Sequence, residues 1–215
     1  MVVPFGQLLK GHSGAQTVKV YNASSAPISP QIDSVPPYIH AIIKPESIPA
    51  GEQGVISITA YPDQTSAWGL ATDTLIFRPD ANSQHQLPLT TVMIVEEDFS
   101  TLTPEQLAAA PIMKLSSDMV DFGRIATAPK QLRQTLTITN AGQSPLIIRS
   151  ISTPDPAIEL SPRTFKPIKP GKKATLTISV NPERLGGRSM LNSRITIIAN
   201  SPHHPTEIVR VVGEL

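Results

Sequence analysis

The sequence predicts an all-β protein made of two tandem β-sandwiches joined by a short helical connector. Three observations predict this architecture. The 215 residues include 22 prolines and 12 glycines, and strong helix formers are few beside threonine, isoleucine and valine, as is typical of short strands joined by rigid turns. Apolar and polar residues alternate with a period of two. One series of motifs also occurs twice along the chain.

The alternation is clearest in Val120–Ile151, which has the pattern strand, tight corner, strand, turn, strand. Leu132, Leu136 and Ile138 share one parity, and the threonines between them share the other. This is the pattern of a strand with one buried face. The following residues, Asn140–Gly142, tolerate positive φ, so we expect them to form a turn before the next strand.

Motifs of this stretch have counterparts in the first half of the chain. The matched segments, with their offsets, are Val3–Gly6 and Val120–Gly123 (117), Gln16–Asn22 and Gln134–Asn140 (118), and Ile48–Gly51 and Ile168–Gly171 (120). Because the offset changes only from 117 to 120, the few residues inserted between the matched segments are expected to lie in loops. Each copy offers about seven short strands within about 100 residues, which is the pattern of an immunoglobulin-like sandwich.

Two motifs of the repeat carry local expectations. The Phe-Gly pair is expected to end the opening strand at a bend where no side chain fits, with the aromatic ring capping the core. The Pro-Gly or Pro-Ala-Gly segment is expected to form a turn in which glycine takes the permissive position, before a long central strand.

We divide the chain into a first sandwich at residues 1–95, a connector at 96–111 and a second sandwich at 112–215. In the connector, Thr103 is an expected N-cap, Pro104 begins a short helix, Gln106 completes a capping box and Pro111 ends the helix. Ile112–Leu115 is a candidate strand without a counterpart in the first copy. The first sandwich is therefore expected to lack its first strand, as a trimmed chain would.

Charge and composition exclude several classes of protein. Residues 1–112 carry four Lys/Arg and ten Asp/Glu (−6), and residues 113–215 carry fourteen and seven (+7), which gives the net +1. There is no cysteine, so disulfides and thiolate chemistry are excluded. No apolar run reaches the roughly 18 residues that a membrane span needs. No secretory leader is present, so the chain is either cytoplasmic or a protein whose leader has been removed.

No catalytic or cofactor motif is found, and we expect neither an enzyme nor a bound metal or cofactor. His203-His204 could suggest a metal, but they lie in a Pro-bounded turn without a third ligand, and an exposed hairpin loop is the expected structure. The acidic run Glu96–Asp98 has no buried acid beside an ionised one, which general acid catalysis needs.

Two features are candidate binding sites. A basic cluster surrounds the second Pro-Gly turn and could bind a polyanion, but a solvated turn or a contact with the acidic first domain is favoured over that interpretation. The members of the cluster are Arg163, Lys166, Lys169, Lys172 and Lys173. Trp68 lies in a loop and could be a sugar platform or a protein hot spot, or could cap the core. Since aromatic residues are scarce near the basic cluster, nucleic acid is not an expected partner.

The second copy resembles a known bacterial family. VDFGRIATAPKQLRQTLTITNAGQSPLIIRSIS, PIKPGKKATLTISVNPERLGG and SRITIIANSPHHPTEIVRVVGEL are similar to the domain of unknown function 1573 family, which is related to the Hydin-type (ASH) and major-sperm-protein-like immunoglobulin sandwiches. The first copy matches more weakly. The resemblance implies a periplasmic, cell-surface or secreted protein of Gram-negative bacteria without enzymatic activity.

The chain departs from this family at one place. Many members carry a Cys-Gly-Cys-type segment after the third strand, where this chain has Ser34–Pro37 and Ser152–Asp155. Any role of those thiols is therefore not transferred to this chain.

The sequence favours a structural or protein-interaction module of the bacterial cell envelope. Its partner would be another envelope protein, bound by surface recognition or by strand addition at a sheet edge. A carbohydrate- or polyanion-binding module and a periplasmic chaperone-like protein are the alternatives. The oligomeric state is not predicted.

Overall fold

The computed structural model describes residues 1–125 and 132–214, which form two compact units, Met1–Asp98 and Phe99–Leu215. The tight corner predicted between the first two strands of Val120–Ile151 lies outside the described residues. Within them, no helix is long and apolar enough to cross a membrane.

The first unit consists of two sheets. Its strands are β1 (Val2–Leu9), β2 (Gly14–Tyr21), β3 (Gln31–Asp33), β4 (Ile39–Lys44), β5 (Gln53–Ala60), β6 (Gly69–Arg78) and β7 (Leu87–Glu96), with a 3₁₀ helix at Pro62–Gln64. One sheet has the order β1-β7-β6-β3 and the other the order β2-β5-β4. Strands β1 and β7 pair in parallel, and the remaining described pairs are antiparallel.

The second unit begins with the connector and also consists of two sheets. Its elements are α1 (Pro104–Ala108), β8 (Met113–Leu115), β9 (Met119–Arg124), β10 (Leu132–Asn140), β11 (Ile148–Ser152), β12 (Ile158–Ser161), β13 (Lys173–Val180), a 3₁₀ helix at Pro182–Leu185, β14 (Met190–Ala199) and β15 (Thr206–Glu214). The sheets have the orders β12-β13-β10-β8 and β11-β14-β15-β9.

The two units share one strand arrangement. The pairing of β2 with β5 and β4 corresponds to that of β10 with β13 and β12, and β1 lies beside β7 as β9 lies beside β15. Strand β8 is the exception, because no described strand of the first unit takes its place. The fold is therefore all-β, with two tandem immunoglobulin-like sandwiches and a short helical connector, as predicted.

Each core is formed by the inward faces of its own two sheets. In the second unit, Leu136 and Ile138 are 0% exposed, which confirms the predicted alternation. Leu176 and Ile178 of the neighbouring strand β13 are also 0% exposed and lie on the same face of the sheet. In the first unit, Ile56 of β5 belongs to the corresponding cluster. The outward residues of β10 are arginine and threonine: Arg133, Thr135, Thr137 and Thr139.

The structure of the Phe-Gly motif differs in part from the one that the sequence predicts. Phe5 and Phe122 are half-buried and pack against the two cores, as predicted. A Cβ added to Gly6 or Gly123 would meet no atom within 4 Å, so lack of space is not the reason for glycine. The reason is φ, which is +69° at Gly6 and +59° at Gly123, where the strand pairing shifts register.

The turn after β10 also has a different basis from the one expected. Neither Asn140 nor Gly142 has positive φ. A Cβ at Gly142 would instead lie 2.3 Å from the carbonyl oxygen of Ala110 and 2.5 Å from the backbone nitrogen of Ile112. Glycine is required here because the connector backbone packs directly against the turn.

Two buried asparagines organise the equivalent turns of the two units. Asn140 is 0% exposed, and its Nδ2 donates to the carbonyl oxygens of Ser144 and Ile168, each at 2.8 Å. Its Oδ1 accepts from the backbone N–H of Gly142 at 2.9 Å. Asn22, 2% exposed, donates in the same way in the first unit. Each asparagine thus ties its own turn to the segment before the Pro-Gly turn, next to the isolated β-bridge that joins Leu146 to Ile168 or Ile28 to Ile48.

The connector helix has the predicted cap. The backbone N–H of Gln106 donates to the Thr103 hydroxyl at 3.3 Å, and the Gln106 side chain accepts from the Thr103 N–H at 2.8 Å. Pro104 is at the first helical position. The end of the helix is tied to the second unit by Ser144, whose hydroxyl donates to the carbonyl oxygen of Ala109 at 2.6 Å.

Candidate functional site

The strongest candidate site is the outer edge of β2. The N–H of Asn22 donates to the carbonyl oxygen of Glu52, so even-numbered residues of β2 bond to β5. The backbone groups of Thr17, Lys19 and Tyr21 therefore point away from the sheet. Within the described residues, no strand pairs with this side of β2. The edge is eight residues long.

The equivalent edge of the second unit is occupied. There β8 pairs antiparallel with the end of β10, with Lys114 opposite Thr139. The backbone N–H of Ser116 donates to the carbonyl oxygen of Thr137 at 3.0 Å just beyond the strand. This position of the fold can therefore accept an added strand.

Burial differs between the open and the covered edge. Ile138 of β10 is 0% exposed, and Met113 of β8 is 2% exposed beside it. The corresponding residue of β2, Val20, is only half-buried, and its neighbour Tyr21 is 60% exposed. A strand on β2 would thus cover apolar surface as well as satisfy backbone groups.

The basic cluster predicted from the sequence does not converge on one place. Arg163 lines a groove of about 570 Å³ on the outer face of the β12-β13-β10 sheet, together with Arg133 and Arg184. The same groove contains Glu159, which pairs with Arg184 at 3.3 Å. The four lysines do not line this groove, and all of them are exposed at or near the Pro-Gly turn: Lys166, Lys169, Lys172 and Lys173. Polyanion binding by this set stays a prediction.

Trp68 is half-buried and lies outside the hydrophobic cluster of described residues in the first unit. The ammonium group of Lys10 is 5.0 Å from the centroid of its ring. Lys10 also donates to the carbonyl oxygens of Pro62 and Thr65, which fixes the cation over the ring. Any ligand stacking on that face would have to displace Lys10. A binding role for Trp68 stays a prediction.

His204 and two residues of the acidic run make contacts with neighbouring side chains. His204 Nδ1 lies 3.4 Å from a carboxylate oxygen of Glu207. Asp98 pairs with His12 at 2.9 Å, and Glu96 accepts from the Gln7 side chain. In the described ranges, no three His, Asp or Glu side chains are grouped so that they could hold a metal ion.

Comparison with known proteins supports the immunoglobulin-like assignment of the second unit. Residues 111–214 match the HYDIN/CFA65/VesB-like, Ig-like domain. The match covers just under half of the chain. No curated protein sequence matches the chain.

Solved structures similar to the chain include a protein of unknown function from Porphyromonas gingivalis W83. It is 22% identical, covers 97% of this chain and 94% of its own, and has a TM-score of 0.68. This level of identity shows a shared fold. The ASH/PapD-like domain 7 of human CEP192 is 12% identical over 53% of this chain and 91% of its own, with a TM-score of 0.41.

One polar site of the second unit was not foreseen from the sequence. Asp155, in the loop between β11 and β12, is 6% exposed. Both of its oxygens accept from Arg188, at 2.7 and 3.2 Å, and one also accepts from the N–H of Ala157. The hydrogen bonds from Arg188 hold the pKa of Asp155 below its ordinary value, against the opposing effect of burial. The pair joins two loops of the sandwich.

Acid is expected to destabilise the second unit through this pair. Since the folded-state pKa of Asp155 is lowered, its stabilisation is complete above the ordinary carboxyl pKa of about 3.9 and is lost as the pH falls through the folded-state pKa. Arg188→Met should cost about 1–3 kcal/mol in the free energy of unfolding at pH 7, and less at pH 2–3. Urea unfolding at a series of pH values measures this.

Arg184→Met is the matched control for that measurement. Its partner Glu159 has a side chain 48% exposed, so the loss should be under about 1 kcal/mol. Two results would contradict the stabilising role of the Asp155–Arg188 pair. One is an equal loss of unfolding free energy in the two variants at pH 7, and the other is a loss from Arg188→Met that persists at pH 2–3.

Proposed function

We propose that the chain is a non-enzymatic protein-interaction module of the bacterial cell envelope, which binds a partner by adding an extended segment of it to the edge of β2. The observation that carries this proposal is the difference between the two units. The edge of β10 is covered by β8, and within the described residues the equivalent edge of β2 is not covered.

The partner segment is an antiparallel strand with alternating side chains. Its backbone hydrogen bonds reach Thr17, Lys19 and Tyr21, and these bonds supply affinity without sequence specificity. Specificity comes from apolar side chains at alternate positions, as at Met113 and Leu115 of β8, which would cover Val20. The single lysine of the edge, Lys19, is a common device against unwanted edge pairing and does not block a specific partner.

The test uses the chain's own β8 sequence as the probe. A capped peptide Ile-Met-Lys-Leu-Ser-Ser is added to the full ¹⁵N-labelled chain, and amide hydrogen exchange is followed by NMR. In the register of β8, we expect added protection at Lys19 and Tyr21 but not at Val18 or Val20, because the even-numbered amides already bond to β5.

Two controls remove the backbone bonds selectively. In β8, the backbone of Lys114 faces the partner strand, so N-methylation of the peptide lysine should weaken binding about tenfold or more. Lys19→Pro in the protein removes an outward N–H without removing a bond to β5, and should act in the same way. Protection without alternation, or binding that survives N-methylation, would refute strand addition at this edge.

A further inference from the structure

Two arginines of the second unit lie directly opposite each other on neighbouring strands. The register of β14 and β15 pairs Arg194 with Arg210. The N–H of Ala199 donates to the carbonyl oxygen of Pro205, so odd-numbered residues of β14 form the hydrogen-bonded pairs. Arg194 and Arg210 therefore form a non-hydrogen-bonded pair, in which the Cα atoms approach to about 4.5 Å and the side chains are closest.

This pair is unfavourable for folding by itself. Like charges directly opposite each other on a sheet destabilise it. Both side chains are exposed, and across residues 1–125 and 132–214 no carboxylate lies within ion-pair distance of either guanidinium group. Each of four other arginines does have such a carboxylate: Arg78, Arg124, Arg184 and Arg188.

The surroundings of the pair form a shallow site. Both arginines line an open concavity of about 420 Å³, with Asn192, Ser193 and Ile208 among its other lining residues. Ile208 is 54% exposed. On the other side, Met119 of β9 pairs with Arg210 and is 46% exposed. Two cations are thus flanked by apolar side chains, a combination enriched at protein interfaces.

We propose that the Arg194–Arg210 pair is a receptor for a carboxylate on an acidic segment of a partner protein, with aliphatic neighbours of that carboxylate lying on Ile208 and Met119. The planar forks of two guanidinium groups match the two oxygens of one carboxylate, and binding it removes the repulsion between them. The apolar flanks favour a peptide over an inorganic anion. The site lies on a sheet face of the second unit and does not depend on the edge of β2.

The binding test compares two peptides that differ only in charge. Acetyl-Leu-Glu-Leu-amide and acetyl-Leu-Gln-Leu-amide are titrated into the full chain, and the Nε–Hε signals of the arginines are followed by NMR. We expect the Glu peptide to shift the signals of Arg194 and Arg210, and the Gln peptide to bind about tenfold more weakly. Arg194→Gln and Arg210→Gln should each weaken the Glu peptide about tenfold, whereas Arg184→Gln should not.

Three results would overturn the proposal: equal binding of the two peptides, shifts confined to other arginines, or tighter binding of inorganic phosphate than of the Glu peptide. Thermal unfolding gives an independent readout. Without peptide, Arg194→Gln should raise Tm by about 2 °C, because it removes the like charge. A lower Tm in both Arg194→Gln and Arg210→Gln would show that the arginines serve the fold, and would also overturn the proposal.

Discussion

Replacing Asn140 with alanine is expected to lower the free energy of unfolding of the second unit by about 3 kcal/mol. The side chain is 0% exposed and makes three hydrogen bonds to backbone groups of the turn and of the segment before β13. Alanine leaves these groups without a partner where water does not reach them. Chemical denaturation of the purified chain measures the loss.

Asn192→Ala is the matched control, because Asn192 is an exposed asparagine in the same unit. Its substitution should change stability by no more than about 0.5 kcal/mol. If Asn140→Ala were as mild as Asn192→Ala, the three hydrogen bonds of Asn140 would not hold the turn after β10.

A second large loss is expected from Gly142→Ala. The new Cβ would lie 2.3 Å from the carbonyl oxygen of Ala110. The position of Cβ is fixed by the backbone and the oxygen is a backbone atom, so no side-chain rotation relieves the overlap. The connector would have to move away from the turn, at a cost of about 3 kcal/mol. The expected signature is a lower unfolding midpoint with faster hydrogen exchange in residues 103–111 of the connector.

Ser144→Ala separates packing from hydrogen bonding in this region. It removes the hydrogen bond to Ala109 but adds no atom, so it should cost about 1 kcal/mol. A Gly142→Ala variant that is no less stable than Ser144→Ala would mean that the connector backbone yields without cost.

Much of the fold could be predicted because its causes are local in sequence. The alternation of Leu136 and Ile138 with threonine depends only on strand geometry. The cap of α1 depends on Thr103 and Gln106, three residues apart. Strand β8, Met113–Leu115, was predicted because the segment Ile112–Leu115 was a candidate strand without a counterpart in the first copy.

The parts that could not be predicted depend on residues far apart in the chain. Gly142 is required by the backbone of Ala110, and a sequence alone does not show that contact. The pairing of Asp155 with Arg188 joins two loops, and the opposition of Arg194 and Arg210 depends on the register of β14 and β15. The sequence therefore identified charged clusters by adjacency along the chain, whereas the structure groups charges across strands.

The open edge of β2 could not be predicted from the sequence for the same reason. Its residues were recognised as a strand by their similarity to those of β10. That β10 is covered, and that β2 is not covered by any strand of the described residues, follows only from the sheet order. The candidate site is thus a difference between two similar units, and neither unit would show it alone.

The parallel pairing of β1 with β7, the first and last strands of the first sandwich, has a mechanical consequence. Val2 lies beside Thr90 and Leu9 beside Glu96, so the chain enters the first unit at one end of this pair and leaves it at the opposite end. A pulling force on the two ends of the unit acts along β1 and β7 in opposite directions. It loads their hydrogen bonds in shear, all together, instead of opening them one by one. Strands β9 and β15 pair in parallel as well, so a force between the start of β9 and the end of β15 would load them in the same way.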